Sequence, residues 1–271
     1  MNFRSGNKKS GYKDIPTISA RISYMGNNFN IETGKKIFQI LEKYGFANVR
    51  KMIVDQRRCN KATQREILIS VKTEFNENCF ANAYCDRRTA GIYLLKKESD
   101  IEGCEIDIYN TRNNIGTERV IHNCNYICIN STHGRLENPD NHDSFLKCTK
   151  ELIEVSNALS VDVDDISNEL VLYQKYRVKH SLNEVNTVYW GNYFDEELCN
   201  KYGFEKIITL SAYHVERIGN GMFFALTNSV LDYDSKEAKA NRKAIMKKLN
   251  IRPGKRQFTF LKHWITVNSR V

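Results

Sequence analysis

The sequence predicts an α+β protein with two sheet-containing halves and flanking helices, lying either apart or packed as one unit. Of its 271 residues, 41% are apolar and 27% charged, a composition typical of globular proteins. Short β-branched runs alternate with stretches whose apolar residues recur every three or four positions. A polar segment at 131–141 predicts the division of the chain. The expected units are a basic flexible tail (1–14), an N-terminal α+β half (15–135), and a C-terminal α+β half with a basic helix and tail (136–271).

The first half is predicted to be mostly sheet. It opens with a strand at 17–25 and then a helix, for which Thr33 is the predicted cap and Gly45 the left-handed residue that ends it. Further β-branched runs predict five strands, at 48–54, 66–73, 91–95, 104–109 and 119–129.

The second half is predicted to mix helices and strands. A helix at 143–159 carries its apolar residues on one stripe, and 162–165 read as an acidic turn. The string Gly219-Asn220-Gly221 between two apolar runs predicts a tight hairpin, because such a turn needs positive φ at its centre. A capping box at Asp234 predicts the start of a basic helix that ends at Leu249.

Membrane insertion and secretion are not expected. The longest apolar runs, such as 67–71 and 222–226, are far shorter than the roughly 20 residues that a membrane-spanning helix requires. Residues 1–14 are polar and basic, without the apolar block of a secretory signal. The sequence therefore predicts a cytoplasmic protein, and we expect its eight cysteines to be free thiols.

No motif in the chain predicts catalysis or a bound cofactor. The densest cluster of metal-ligating types is His122, Cys124, Cys128 and His133. In an extended segment the two cysteines would lie about 13 Å apart, too far for one zinc ion. A metal-dependent hydrolase built on residues 133–143 remains a third possibility. We expect a protein that is not an enzyme and that holds no metal.

Positive charge is concentrated at the two ends of the chain. Residues 236–271 carry eleven Lys and Arg against one acid, so the net charge of +9 describes the ends rather than the body. Basic ends attract anionic partners, either nucleic acid or an acidic protein. The predicted contacts with an anionic partner are Lys243, Lys247, Lys248, Arg252, Lys255 and Arg256.

An unusually aromatic string occupies residues 188–194, at the end of a predicted strand that precedes a helix capped by Asp195. Aromatic side chains provide large contact areas at low entropic cost, as protein interfaces require. A buried strand with a glycine bulge at Gly191 would have the same composition. The interface hypothesis assigns partner contacts to Tyr189, Trp190, Asn192 and Tyr193.

Residues 185–250 resemble the C-terminal half of immunity proteins from bacterial polymorphic toxin systems. The resemblance rests on these strings: Tyr189-Trp190-Gly191-Asn192-Tyr193-Phe194, Lys201-Tyr202-Gly203, Ala212-Tyr213, Gly219-Asn220-Gly221 and Leu226-Thr227. It implies a non-catalytic α+β protein that neutralises a cognate toxin by binding it, with no catalytic residues to carry over. The basic C-terminal tail departs from the family pattern. Nucleic-acid binding through the basic helix and tail is therefore the alternative function.

Overall fold

The computed structural model describes residues 16–24, 30–46, 51–60, 65–86, 88–95, 103–107, 125–169, 172 and 185–252. The strands are β1 (Thr17–Tyr24), β2 (Lys51–Asn60), β3 (Arg65–Glu74), β4 (Thr89–Leu95), β5 (Gly103–Asp107), β6 (Asn125–Thr132), β7 (Ala158–Asp165), β8 (Gly191–Phe194), β9 (His214–Ile218) and β10 (Gly221–Ala225). The helices are α1 (Ile31–Lys43), α2 (Glu77–Cys85), α3 (His133–Leu136), α4 (Pro139–Ser156), α5 (Glu196–Tyr202), α6 (Phe204–Ile208) and α7 (Lys236–Lys248), with a 3-10 turn at Val230–Asp232.

All these strands lie in one antiparallel sheet, in the order β3-β2-β4-β5-β6-β1-β7-β8-β10-β9. The first strand, β1, is central: Ala20 lies opposite Ile129 of β6 on one side and Val163 of β7 on the other. The predicted α+β class is confirmed, and strands from both halves share the sheet. Backbone hydrogen bonds join strands on either side of the predicted boundary between residues 135 and 136. The division of the chain at that position stays a prediction.

Helices α1 and α4 pack against one face of the sheet. Ile37 and Leu41 of α1 and Leu152 of α4 are fully buried in the core beneath them. Helix α2 packs tightly on α1, because a Cβ at Gly34 would lie 3.0 Å from the Cα of Ala81. Helices α5 and α7 pack on the opposite face near β8, so the C-terminal half of the sheet is covered on both sides.

Three elements differ from the sequence prediction. Helix α2 falls in a gap between predicted strands, and only three of its nine residues are buried, so its apolar pattern is weak. The acidic turn predicted at 162–165 is wrong, since these residues complete β7, with Asp164 and Asp165 buried. Helix α4 ends earlier than predicted, at Ser156, because Asn157 adopts a left-handed conformation with φ of 49°.

The ends of several elements also differ by a few residues. Asn30, rather than Thr33, caps α1, and Ser235, rather than Asp234, caps α7. The polar segment at 131–141 contains α3 and the start of α4. The predicted hairpin is confirmed: β9 and β10 pair across a turn in which Gly219 has φ of 54°. None of the described helices combines the length and apolar character needed to cross a bilayer.

Candidate functional site

The aromatic string lies inside the protein. Trp190 is only 1% exposed, and its indole Nε1 donates a hydrogen bond to Thr227 Oγ1 at 2.8 Å. The ring of His142, on α4, meets the indole edge-on with centroids 6.4 Å apart. Trp190 therefore joins the start of β8 to α4 and to the segment after β10.

The neighbours of Trp190 are buried as well. Asn192 closes a local loop, since its Oδ1 accepts from the Tyr189 backbone N at 2.9 Å and its Nδ2 donates to the Tyr189 carbonyl at 3.0 Å. The Tyr193 hydroxyl donates to the Ile218 carbonyl at 3.3 Å. The prediction that Tyr189, Trp190, Asn192 and Tyr193 contact a partner is therefore corrected: a partner cannot reach these side chains without opening the sheet.

The alternative interpretation, a buried strand, explains the aromatic composition of residues 188–194. Gly191 is required by a close approach, because a Cβ there would lie 3.0 Å from Val163 Cβ on β7. The pairing of β7 with β8 is regular at this position, with Val163 opposite Gly191. The glycine thus permits tight strand packing rather than forming a bulge.

Replacement of Trp190 should destabilise the whole protein. We expect Trp190→Ala to lower the free energy of unfolding by about 3–5 kcal/mol, because a buried aromatic side chain leaves a cavity. Trp190→Phe should lower the free energy of unfolding by a smaller amount, because it removes the hydrogen bond to Thr227 but keeps most of the side-chain volume. Urea denaturation followed by circular dichroism measures both; a loss below about 1 kcal/mol for the alanine variant would contradict the buried position.

A buried polar cluster surrounds Asp164, at the end of β7. Its carboxylate accepts from the Trp190 backbone N at 3.1 Å and from Asn168 Nδ2 at 2.8 Å. Arg242 of α7 lies 3.5 Å away through Nη2, and its Nε donates to the Val188 carbonyl at 2.7 Å. Burial raises the pKa of Asp164 to about 6, although the hydrogen bonds and Arg242 oppose this shift.

A second set of charges lies two residues earlier on β7. Asp162 is opposite Arg21 of β1, and Arg21 Nη1 makes an ion pair with Glu169 at 2.6 Å. Burial raises the pKa of Asp162 to about 7, with Arg21 opposing the shift and Glu169 adding to it. The buried hydroxyl of Tyr189 has no hydrogen-bond partner among the described residues. Sequence reasoning missed both sets of charges, because alternating acids at 162–165 suggest an exposed turn.

Stability should fall as pH rises through the titration of Asp162. The unfolded carboxyl titrates near 3.9 and the folded one near 7, so the folded state holds the extra proton between these values and loses stability as pH increases. We expect Asp162→Asn to flatten this slope and to gain at least about 1 kcal/mol at pH near 8. Urea unfolding across pH 4–8 tests this, with the exposed Asp232→Asn as control; equal slopes in wild type and Asp162→Asn would refute the assignment.

The two described histidines among the candidate metal ligands, His133 and His142, contact different partners. His133 Nε2 lies 2.8 Å from Asp165 Oδ2, whereas His142 Nε2 accepts from the Val230 backbone N at 3.2 Å. Burial lowers the pKa of His142, which favours this neutral acceptor role. In the part of the chain that the structure describes, no three His, Cys, Asp or Glu residues form a group suited to a metal ion. His122 and Cys124 lie outside the described residues.

The predicted anion-binding residues do not form one surface in the described part of the chain. Lys243 and Lys247 are exposed on the outer face of α7. Lys248 points elsewhere: its Nζ donates to the carbonyl of Thr209 and, at 2.9 Å, to the Thr209 hydroxyl. Arg252 is exposed just beyond α7, and Lys255 and Arg256 lie outside the described residues.

One short segment carries two exposed apolar side chains. Among the described residues the exposed large hydrophobic side chains are Ile31, Ile166, Ile208 and Tyr213; Ile208 is the last residue of α6, and Tyr213 ends the segment that joins α6 to β9. Ile208 is 53% and Tyr213 60% exposed. The segment is held by burial of Leu210 and by a hydrogen bond from the Tyr213 backbone N to the Ala225 carbonyl at 3.0 Å. We call Ile208, Thr209, Ser211 and Tyr213 the 208–213 patch.

Comparison with known proteins identifies a similar fold. No protein-family model matches the chain, and no curated protein shows significant sequence similarity to it. A solved structure described as Pseudomonas aeruginosa T6SS protein PA0821 superposes with a TM-score of 0.59 at 12% identity, covering 92% of this chain and 80% of that chain. At this level of identity the similarity shows the fold alone: the chain shares, over most of its length, the fold of a T6SS protein.

Proposed function

We propose that the chain is a non-catalytic protein that neutralises a partner protein by binding it, as immunity proteins do. The observation that carries this proposal is the 208–213 patch, where exposed apolar side chains stand on a well-anchored segment. The resemblance of residues 185–250 to toxin immunity proteins, and the fold shared with a T6SS protein, support the same function.

The patch has the properties of a binding hot spot. Tyrosine combines a large apolar surface with a polar group and loses little side-chain entropy when it is covered. Lys248 fixes Thr209, beside Ile208, and the hydrogen bond to Ala225 fixes Tyr213. A segment that is already ordered before binding avoids the entropic cost of being ordered by the partner.

The double variant Ile208→Ala/Tyr213→Ala should lose its partner. We expect affinity to fall at least about 30-fold, since loss of a hot spot costs about 2 kcal/mol or more. The wild-type chain, immobilised, would be exposed to nuclease-treated lysate of the source cells, and the captured protein would then be expressed alone and together with the chain. Neutralisation requires that this protein stops growth alone and that wild type restores it, while the double variant does not.

Ile31→Ala is the matched control, because Ile31 is 46% exposed and lies on α1, away from the patch in sequence. This variant should bind and protect like wild type. Capture of a harmless protein, or equal protection by the double variant, would contradict the proposal. Unfolding curves of all variants identify any loss caused by instability.

A second candidate function, nucleic-acid binding, is favoured by the outer face of α7. Lys236, Lys239, Lys243 and Lys247 are exposed and recur every three or four residues, which places them on one helix face. The stripe is about 16 Å long, since an α-helix rises about 1.5 Å per residue. Lys239 also pairs with Asp234 at 2.7 Å, so one of the four charges is partly neutralised within the protein.

Salt dependence distinguishes the two functions. If the stripe contacts phosphates, the affinity for a DNA duplex should fall steeply with salt, and Lys243→Ala/Lys247→Ala should reduce the log–log slope by about 2. Lys147→Ala, which removes an exposed lysine from α4, should leave the slope unchanged. Fluorescence anisotropy with a labelled duplex measures this; a slope that the stripe variant does not alter would exclude this site.

A further inference from the structure

We propose that a basic pocket beside the 208–213 patch receives carboxylate side chains, so that the neutralised partner presents an acidic surface; this rests on the proposed function. The pocket has a volume of about 340 Å³ and lies between the end of α5 and the end of α7. Its cationic lining is Lys201, Lys206 and Arg252, and its apolar lining is Tyr202, Leu249 and Ile251.

The chain brings these three cations together by two sharp turns. Gly203 alone connects α5 to α6 and has φ of 90°, which places Lys201, at the end of α5, and Lys206, in α6, on the same pocket. A Cβ at Gly203 would contact the Lys206 side chain at 3.6 Å, so Lys206 lies over the turn. On the other side, Asn250 adopts φ of 54° after α7 ends and leads to Arg252.

Two of the three cations in the pocket, Lys206 and Arg252, keep their charge available to a ligand. Among the described residues, those that line the pocket include no acidic side chain. Neither Lys206 nor Arg252 forms an ion pair with a carboxylate in the described parts of the chain. The apolar lining is almost fully buried, since Leu249 and Ile251 are 4% and 6% exposed. Cations beside such a surface attract an anion, and Arg and Lys make charge-assisted hydrogen bonds to carboxylates.

The shape of the pocket favours a protein over a nucleic acid as the source of the anion. A nucleic-acid strand requires a groove that follows its backbone and exposed aromatic rings on which bases can stack. The aromatic ring of this pocket, Tyr202, is 9% exposed, and its hydroxyl accepts a hydrogen bond from the Val185 backbone N at 3.0 Å. A compact pocket with a buried ring suits one or two carboxylate side chains.

The pocket and the 208–213 patch are built on the same two helices, α6 and α7. Lys206 precedes Ile208 by two residues on α6, and Lys248, near the pocket at the end of α7, binds Thr209 of the patch. On the proposed function, a partner bound at the patch would extend from α6 across the end of α7 to reach the cations. Apolar contact at the patch and charge complementarity at the pocket would act on the same partner surface.

The test uses the full chain and a fluorescein-labelled hexaglutamate peptide in fluorescence anisotropy at low salt. We expect Lys206→Glu/Arg252→Glu to weaken peptide binding at least about tenfold, because charge reversal replaces attraction by repulsion. The control Lys36→Glu/Lys147→Glu makes the same change in net charge at exposed lysines of α1 and α4, and should change binding less than about threefold. The milder Lys206→Gln/Arg252→Gln should also weaken binding and serves if the reversal variant unfolds.

Three results would overturn the inference: equal weakening by pocket and control variants, no peptide binding by wild type, or tighter binding of a thymidine oligonucleotide at the same residues. Its failure is separable from failure of the proposed function. If the captured partner is still neutralised by the pocket variants but not by Ile208→Ala/Tyr213→Ala, only the pocket assignment fails. If no toxic partner is captured at all, the proposed function fails, whatever the peptide shows.

Discussion

The contact between Asp164 and Arg242 holds the C-terminal half in its arrangement. The two groups are 2% and 4% exposed, and the same guanidinium donates to the Val188 carbonyl, so one side chain joins α7, β7 and the segment before β8. Burial of a charge costs several kcal/mol unless the charge is paired and hydrogen-bonded. Removal of either side chain would therefore leave the other as an unpaired charge in the protein interior. Together with the buried Ile245 and Met246, this contact positions α7, and with it the basic pocket at its end.

Much of the architecture could be predicted from local patterns, because amphipathic period and turn chemistry are local. The helix with Ile37 and Leu41 on one face and the hairpin around Gly219 are of this kind. The site could not be predicted in the same way. The composition of 188–194 is the same for an interface and for a core, and only the pairing of Gly191 with Val163 across β7 and β8 decides between them. The pocket likewise depends on backbone turns at Gly203 and Asn250 that bring distant residues together.

Acidic and basic side chains occupy different places in this protein. Asp164 and Asp165 of β7 are buried, and they contact Arg242 and His133 respectively. The lysines of the outer face of α7, in contrast, are exposed to solvent. The outward face of α7 and the pocket at its C-terminal end are both basic, yet they differ in shape. The first is a straight row suited to regularly spaced charges, and the second is a concave site suited to one or two acidic side chains. A common helix can thus present two electrostatic surfaces with different preferences.

The central place of β1 has a consequence for how the chain is made. Ile18 pairs with Ser131 on one side and with Asp165 on the other, so the two strands that flank β1 in the described sheet are synthesised more than a hundred residues after Ile18. Contacts of such high sequence separation carry a loop-closure cost and slow folding. Until β6 and β7 have been synthesised, β1 exposes both edges and an apolar face, which is a state that aggregates readily. Chaperone binding to this strand during translation would protect the nascent chain, and neither half contains a complete set of neighbours for it.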